Sequence, residues 1–162
     1  MDIKYIITVI LFLVILYLSN SKNKKSDNEK IKIYPYKQKL LLTKTEYKFY
    51  KILKELCDQK QLIVCPKVRL EDFIEVTQSE NKQKYRGYIK SRHIDFLLCD
   101  TKLYIKAGVE LDDTSHNSNR AKETDELKNN IFKAINIPLY RVKTNSQDYT
   151  TEINNIISKL NS

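Results

Sequence analysis

Hydrophobic and polar positions divide the chain unevenly, and the first division comes at once. From Ile3 to Leu18, "IKYIITVILFLVILYL", the run is apolar apart from Lys4 and Thr8. Coiled as a helix it covers roughly 24 Å, short of a bilayer core of about 30 Å. Lys4 can snorkel to the interface, and Ser19 to Ser21 can extend the helix. A cleaved signal peptide has an equally short apolar region. Ser19-Asn20-Ser21 is a poor cleavage site, however, and the basic Lys22, Lys24 and Lys25 follow. The pattern predicts a single-pass transmembrane anchor over 3–20, a polar tether over 21–30 without one apolar residue, and a domain over 31–162. The basic flank keeps that domain on the cytoplasmic side.

Beyond the tether the periodicity changes repeatedly. "TKTEYKFYKILKELCDQ" has helical spacing in Phe49, Tyr50, Leu53, Leu56 and Cys57, and Thr43 with Glu46 three residues on forms a capping-box start. "QLIVCPKV" reads as a strand and "LEDFIEV" as a short helix or turn. Residues 77–92, "TQSENKQKYRGYIKSR", are polar and basic without helical period, which predicts a loop or exposed hairpin. "HIDFLLCD" and "LYIKAGVELD" are β-rich runs joined at "DTK", a hairpin in the centre of a sheet. A helix over about 119–135 buries Leu127, Ile131, Ala134 and Ile135. "IPLYRV" is a strand with Pro138 at its start, and a final helix from Asp148 to Leu160 buries Ile153, Ile156, Ile157 and Leu160. The order of helix, three strands, helix, strand and helix makes an α/β domain with one core.

Composition narrows the chemistry. The formal charge of +9 invites a polyanionic partner, nucleic acid or an anionic membrane face. Lys outnumbers Arg 24 to 5 and Ala occurs three times, so a low-GC coding bias explains the charge equally well. Cys57, Cys65 and Cys99 are odd in number and set among apolar neighbours, as reduced thiols are; without a CxxC pair they do not form a thiolate zinc site. With Gly87 and Gly108 the only glycines, glycine-rich phosphate loops are excluded.

The chemistry-bearing stretch is "VELDDTSH", Val109 to His116, where three carboxylates and one of two histidines fall within seven positions. Alternation along a strand puts Glu110 and Asp112 on one face and Val109 and Leu111 on the other. On the preceding strand Asp95 shares a face with His93, Leu97 and Cys99. A turn near Thr101 sets Asp95 opposite about position 107 to 109, with Glu110 a cross-strand or diagonal neighbour within roughly 8 Å. Two carboxylates so placed suit one hard divalent ion, Mg²⁺ or Mn²⁺. Gly108, inside the same strand, marks a close approach by a ligand or another backbone. Glu46 lies on the apolar face of its helix, where it either caps Thr43 or joins the metal ligands. His116 is either part of a solvated turn or a proton carrier. Lys128 either pairs with Asp125 on the helix surface or leans toward the sheet.

The order of elements, with "HIDF", "VELDD.SH", "D..K" and "IPLYR", resembles the bacterial family named domain of unknown function 2726, within the PD-(D/E)XK nuclease superfamily near the very-short-patch-repair endonucleases. The resemblance runs from "LLTKTEYKFYKIL" to "IPLYRV". It implies a restriction-endonuclease-like αβββαβ core with a mixed central sheet and a metal site at the bend of the central hairpin. Asp95 matches the first motif acid and Glu110 the second, while Asp112 stands where a lysine is expected two residues on. The resemblance implies two substitutes, a downstream histidine, which His116 resembles in placement, or a migrated lysine, Lys128.

These readings together imply a membrane-anchored, Mg²⁺-dependent (or Mn²⁺-dependent) nuclease acting on nucleic acid, DNA in preference. Asp95, Glu110, Asp112, His116 and Lys128 would be catalytic, with Asp95, Glu110 and Glu46 toward the metal. Lys82, Lys84, Arg86, Lys90 and Arg92, in the tyrosine-bearing basic stretch, would hold the phosphate backbone, or else form a solvated loop. The alternatives are a catalytically inactive nucleic-acid-binding module of the same fold, and a scaffold whose acids only cap and hydrogen-bond. No sequence feature sets an oligomeric state.

Overall fold

The computed structural model describes residues 3–22, 34–77, 80–112 and 119–160, and it divides into two units, Met1–Lys39 and Leu40–Ser162. In the first unit the apolar run forms the helix α1 (Ile3–Lys22). Its apolar side chains are exposed, Leu11 and Phe12 both at 62%. Among the described residues no helix is long and apolar enough to cross a membrane. The run thus folds as the expected helix, while its roughly 24 Å of apolar length falls short of a 30 Å core.

In the second unit Thr43 starts α2 (Lys44–Asp58) with the capping box read from the sequence. The Thr43 hydroxyl accepts from the Glu46 N–H, and the Glu46 carboxylate accepts from the Thr43 N–H at 2.7 Å. The apolar stripe of α2 buries Phe49, Leu53 and Cys57. Three strands follow, β1 (Ile63–Arg69), β2 (His93–Cys99) and β3 (Ile105–Asp112). A 3₁₀ turn at Leu70–Asp72 and the helix α3 (Lys82–Ile89) lie between the first two. Then come α4 (Asn119–Ala134), β4 (Leu139–Lys143) and α5 (Tyr149–Leu160). Among the described residues the sheet has the order β1-β2-β3-β4, antiparallel through β3 and parallel between β3 and β4. Among the described residues the second unit is a mixed α/β fold with four α-helices and a four-stranded mixed sheet, α1 of the first unit being the fifth helix.

Two cores sandwich the sheet. On one face Phe96, Leu98, Ala107 and Val109 meet Phe49 and Leu53 of α2 and Ile153, Ile156 and Ile157 of α5. The Phe49 ring lies tilted at 5.5 Å from Phe96 and edge-on at 5.1 Å from Tyr149, each contact adding about 1 kcal/mol beyond burial. On the other face Leu97 and Cys99 meet Phe132 of α4, Ile89 of α3 and Leu70. At Gly108 the close neighbour is a side chain and not another backbone: a Cβ there would lie 2.6 Å from Cε1 of the Phe132 ring.

Four expectations change. In α4 the fully buried residue among those described is Phe132, which the expected stripe omits, while Ala134 is exposed. Residues 82–89 form a helix rather than a loop or hairpin. This short helix fully buries only Ile89, so no apolar period reaches the sequence. The hairpin register also differs, since Phe96 pairs with Val109, which sets Asp95 level with Glu110. The physical reason is a longer turn, closed by the Asp100 N–H on the Tyr104 carbonyl, with an irregularity between Leu98 and Cys99. Finally, β2 does not alternate evenly between Ile94 and Phe96. Ile94 packs with Leu97 and Cys99 while Phe96 packs on the opposite side, so β2 loses its alternation at Asp95.

Candidate functional site

The break in alternation at Asp95 has a partner on the neighbouring strand. Pro66 pairs with Phe96 and Val68 with Ile94, which leaves Lys67 across from Asp95. Lys67 has a left-handed backbone, φ 55°. The other non-glycine residues at positive φ among those described, Gln61, Asn81, Leu103 and Asn136, flank helices or sit in turns, whereas Lys67 is inside a strand. A lysine held so costs about 1–2 kcal/mol, and its surroundings must hold it there.

Its side chain shows what holds it. Lys67 Nζ donates to Glu46 Oε1 and to Asp95 Oδ1, both at 2.6 Å. Asp95 Oδ2 accepts the N–H of Leu111 at 3.0 Å, tying β2 to the end of β3. Glu46 therefore keeps its capping bond to Thr43 and also reaches the sheet. Burial alone would raise the Glu46 carboxyl, but hydrogen bonds from Lys67 and Thr43 outweigh it and hold the group below its ordinary range. Burial likewise opposes the Lys67 ammonium, and the bonds to Asp95 and Glu46 overcome it and hold it above the ordinary lysine value. Both shifts favour the charged pair.

Glu110 lies on the α4 side of β3 and is the one buried charged residue among those described, 6% exposed. Lys128 of α4 donates to both of its oxygens, at 2.7 and 2.8 Å. Desolvation still raises the Glu110 carboxyl above its ordinary value, with the nearby Asp95 charge adding to it and Lys128 only partly offsetting it. The Lys128 surface pair with Asp125 is not formed; Asp125 instead meets Arg141 at 3.2 Å. Arg141 of β4 also donates to Asp112 at 2.9 Å, so the acid two residues after Glu110 is held in an ion pair at the end of the sheet.

Glu46, Asp95, Glu110 and Lys128 are thus gathered at one end of the central hairpin, with Asp112 beside them on β3. Lys67 joins them although its sequence signal is slight, a lysine after Pro66 in a strand. Three carboxylates face two ammonium groups there. His116 and Asp113 lie outside the described residues. Among the described residues no three His, Cys, Asp or Glu side chains converge as a metal cage. The donor set nevertheless fits a hard ion, because Mg²⁺ keeps several waters and needs only one or two carboxylates, here Asp95 and Glu110.

The backbone-binding residues expected from the sequence lie on α3 and between it and β2. Lys82, Lys84, Arg86 and Lys90 are exposed on or beside α3. Arg86 pairs with Glu71, and Arg92 donates to the Tyr88 carbonyl at 2.8 Å. An apolar groove of about 460 Å³ lined by Leu40, Leu41, Tyr47, Tyr50 and Pro66 borders the residues that carry Glu46 and Lys67. It is an aromatic surface beside the acids and not the acid site itself.

No curated protein and no solved structure matches the chain. A family model described as "Protein of unknown function (DUF2726)" matches residues 38–160, from the start of the α/β unit to the end of α5, and the chain belongs to that family.

Proposed function

We propose that the α/β unit is a PD-(D/E)XK-type domain that hydrolyses phosphodiester bonds of nucleic acid, DNA in preference, with the help of Mg²⁺ or Mn²⁺. The observation that carries this reading is the hairpin register that sets Asp95 level with Glu110, near enough for the Asp95 charge to act on Glu110, each acid being held by a lysine from another element. Asp95 and Glu110 would hold the divalent ion, whose chemistry there would be Lewis-acid neutralisation of the phosphate and activation of water. The chain's own residues do the rest. Glu46 and Lys67 fix Asp95 from one side, and Lys128 neutralises Glu110 so that a buried carboxylate is tolerated. A water adds to phosphorus, one P–O ester bond breaks, and the departing alkoxide takes up a proton; His116 is the carrier that its sequence position suggests. The excess of one carboxylate over the ammonium groups leaves the cluster short of positive charge, which suits a site that receives a cation before an anionic substrate.

The exposed lysines of α3 are assigned to the nucleic-acid backbone. Attachment to a membrane, with the α/β unit on the cytoplasmic side, is proposed for α1. Its exposed apolar side chains support this, as do the basic residues from Lys22 onward.

The test is cleavage of linear and circular DNA by the full chain in mild detergent, with Mg²⁺, Mn²⁺ or EDTA. Metal-dependent cleavage that is lost in Asp95→Asn and Glu110→Gln is expected, with the fold kept. Alanine at 110 would strand Lys128 and is avoided. The pairing of both acids with lysines favours one alternative, a binding module without turnover. It would show salt-sensitive DNA binding and no product with any metal.

A further inference from the structure

We propose that Lys67 is a catalytic lysine of this domain, supplying from β1 the positive charge that the chain lacks at position 112. The inference rests on the phosphodiesterase reading above and names a residue that the motif does not contain.

Three observations converge on Lys67. Its backbone is left-handed inside a strand, a conformation that lysine gains nothing from and that glycine or asparagine would adopt more readily. The register around it is unbroken, Pro66 with Phe96 and Val68 with Ile94, so the turn of the backbone serves to aim one side chain and not to absorb an extra residue. Its ammonium is bonded to Glu46 and Asp95. An ammonium has three N–H donors. Two are used, and among the described residues no acceptor meets the third.

Lys128 is the other candidate. Its side chain is 12% exposed and both of its bonds go to Glu110, at 8%, so it serves as the counter-charge of a buried acid. The Lys67 side chain is 25% exposed, enough to meet an incoming phosphate oxygen with its free N–H while Glu46 keeps it in place. The geometry fits stabilisation of the charge that develops on that oxygen as the water adds. An ammonium beside Asp95 also competes with any other cation there, and this gives the inference a second readout.

The experiment compares the wild-type full chain with Lys67→Met, Lys67→Gly and Lys67→Arg. Three quantities are measured: cleavage rate, affinity for Mn²⁺ alone, and thermal midpoint. Lys67→Gly removes the charge and the backbone strain together, so it serves where Lys67→Met folds poorly. The expected result is a loss of about 10²-fold or more in rate for Met and Gly, with part of the rate kept by Arg. Mn²⁺ should bind as tightly as in the wild type or more tightly, because a competing charge is gone. Rates for Met and Gly within about threefold of the wild type would overturn the inference while leaving the hydrolase reading intact. Joint loss of Mn²⁺ binding and fold in both variants would also overturn it, making Lys67 a structural clamp. A wild-type chain that cuts nothing overturns the hydrolase reading, and this inference with it.

Discussion

Gly108→Ala adds one methyl group to the centre of β3, next to the buried Glu110, and the structure sets both the sign and the size of its effect. The new Cβ would lie 2.6 Å from Phe132 Cε1, 2.8 Å from Phe132 Cζ and 3.0 Å from Ile94 Cδ1. Carbon atoms pack at about 3.5–4.0 Å, so the ring has to retreat by roughly 1 Å. Phe132 is 1% exposed and has little room to do so. Overpacking of this kind costs about 1–3 kcal/mol. Replacing a strand glycine returns about 0.5–1 kcal/mol, because alanine loses less backbone freedom on folding. The steric term wins, with a net loss of about 1–2 kcal/mol. At roughly 4 °C per kcal/mol for a domain of this size, the thermal midpoint falls by about 4–8 °C. In urea the midpoint falls with an unchanged slope. In a Phe132→Leu background the ring is gone, and the same alanine should be neutral or stabilising, a coupling of about 1–2 kcal/mol. A Gly108→Ala chain that melts at or above the wild type would refute the packing argument. So would an equal loss in both backgrounds.

The Glu110–Lys128 pair makes a prediction of opposite character. Lys128→Met leaves a buried carboxylate without its partner and should cost about 3–5 kcal/mol, whereas Glu110→Gln with Lys128→Met should recover most of that; chemical denaturation of the three chains decides it. A double variant no more stable than Lys128→Met alone would show that the lysine acts through something other than Glu110. For the thiols, burial pushes Cys57 up to about 12 and Cys99 to about 11. At pH 8 a thiol reagent should therefore modify Cys57 and Cys99 only on the time scale of unfolding, and all three cysteines at once in denaturant. Rapid labelling of Cys57 in the folded chain would contradict its burial.

The elements were legible wherever the apolar pattern is long and one-sided. α2 announced itself by Phe49, Leu53 and Cys57 at helical spacing and by the Thr43/Glu46 cap, which fixes its start without help from the rest of the fold. β2 and β3 were legible as β-rich runs, and α5 by its isoleucines. α3 was not, because a two-turn helix that buries one isoleucine leaves no period to read, and it forms where the 3₁₀ turn and α4 give Ile89 a place.

At the candidate site the division follows the same physics. The sequence by itself determined that Glu110 and Asp112 fall on the same side of a strand, that Asp95 lies on the strand before it, and that Glu46 caps a helix. Each is a matter of short-range periodicity or of three-residue reach. Only the tertiary structure decided the pairings: Lys67 between Glu46 and Asp95, Lys128 on Glu110, and Arg141 on Asp112. Those contacts join residues 18 to 29 positions apart, and which lysine meets which acid depends on strand register and on where α2 and α4 dock. Lys67 shows the difference most clearly, since its role depends on one left-handed residue within a strand, which neither alternation nor composition encodes.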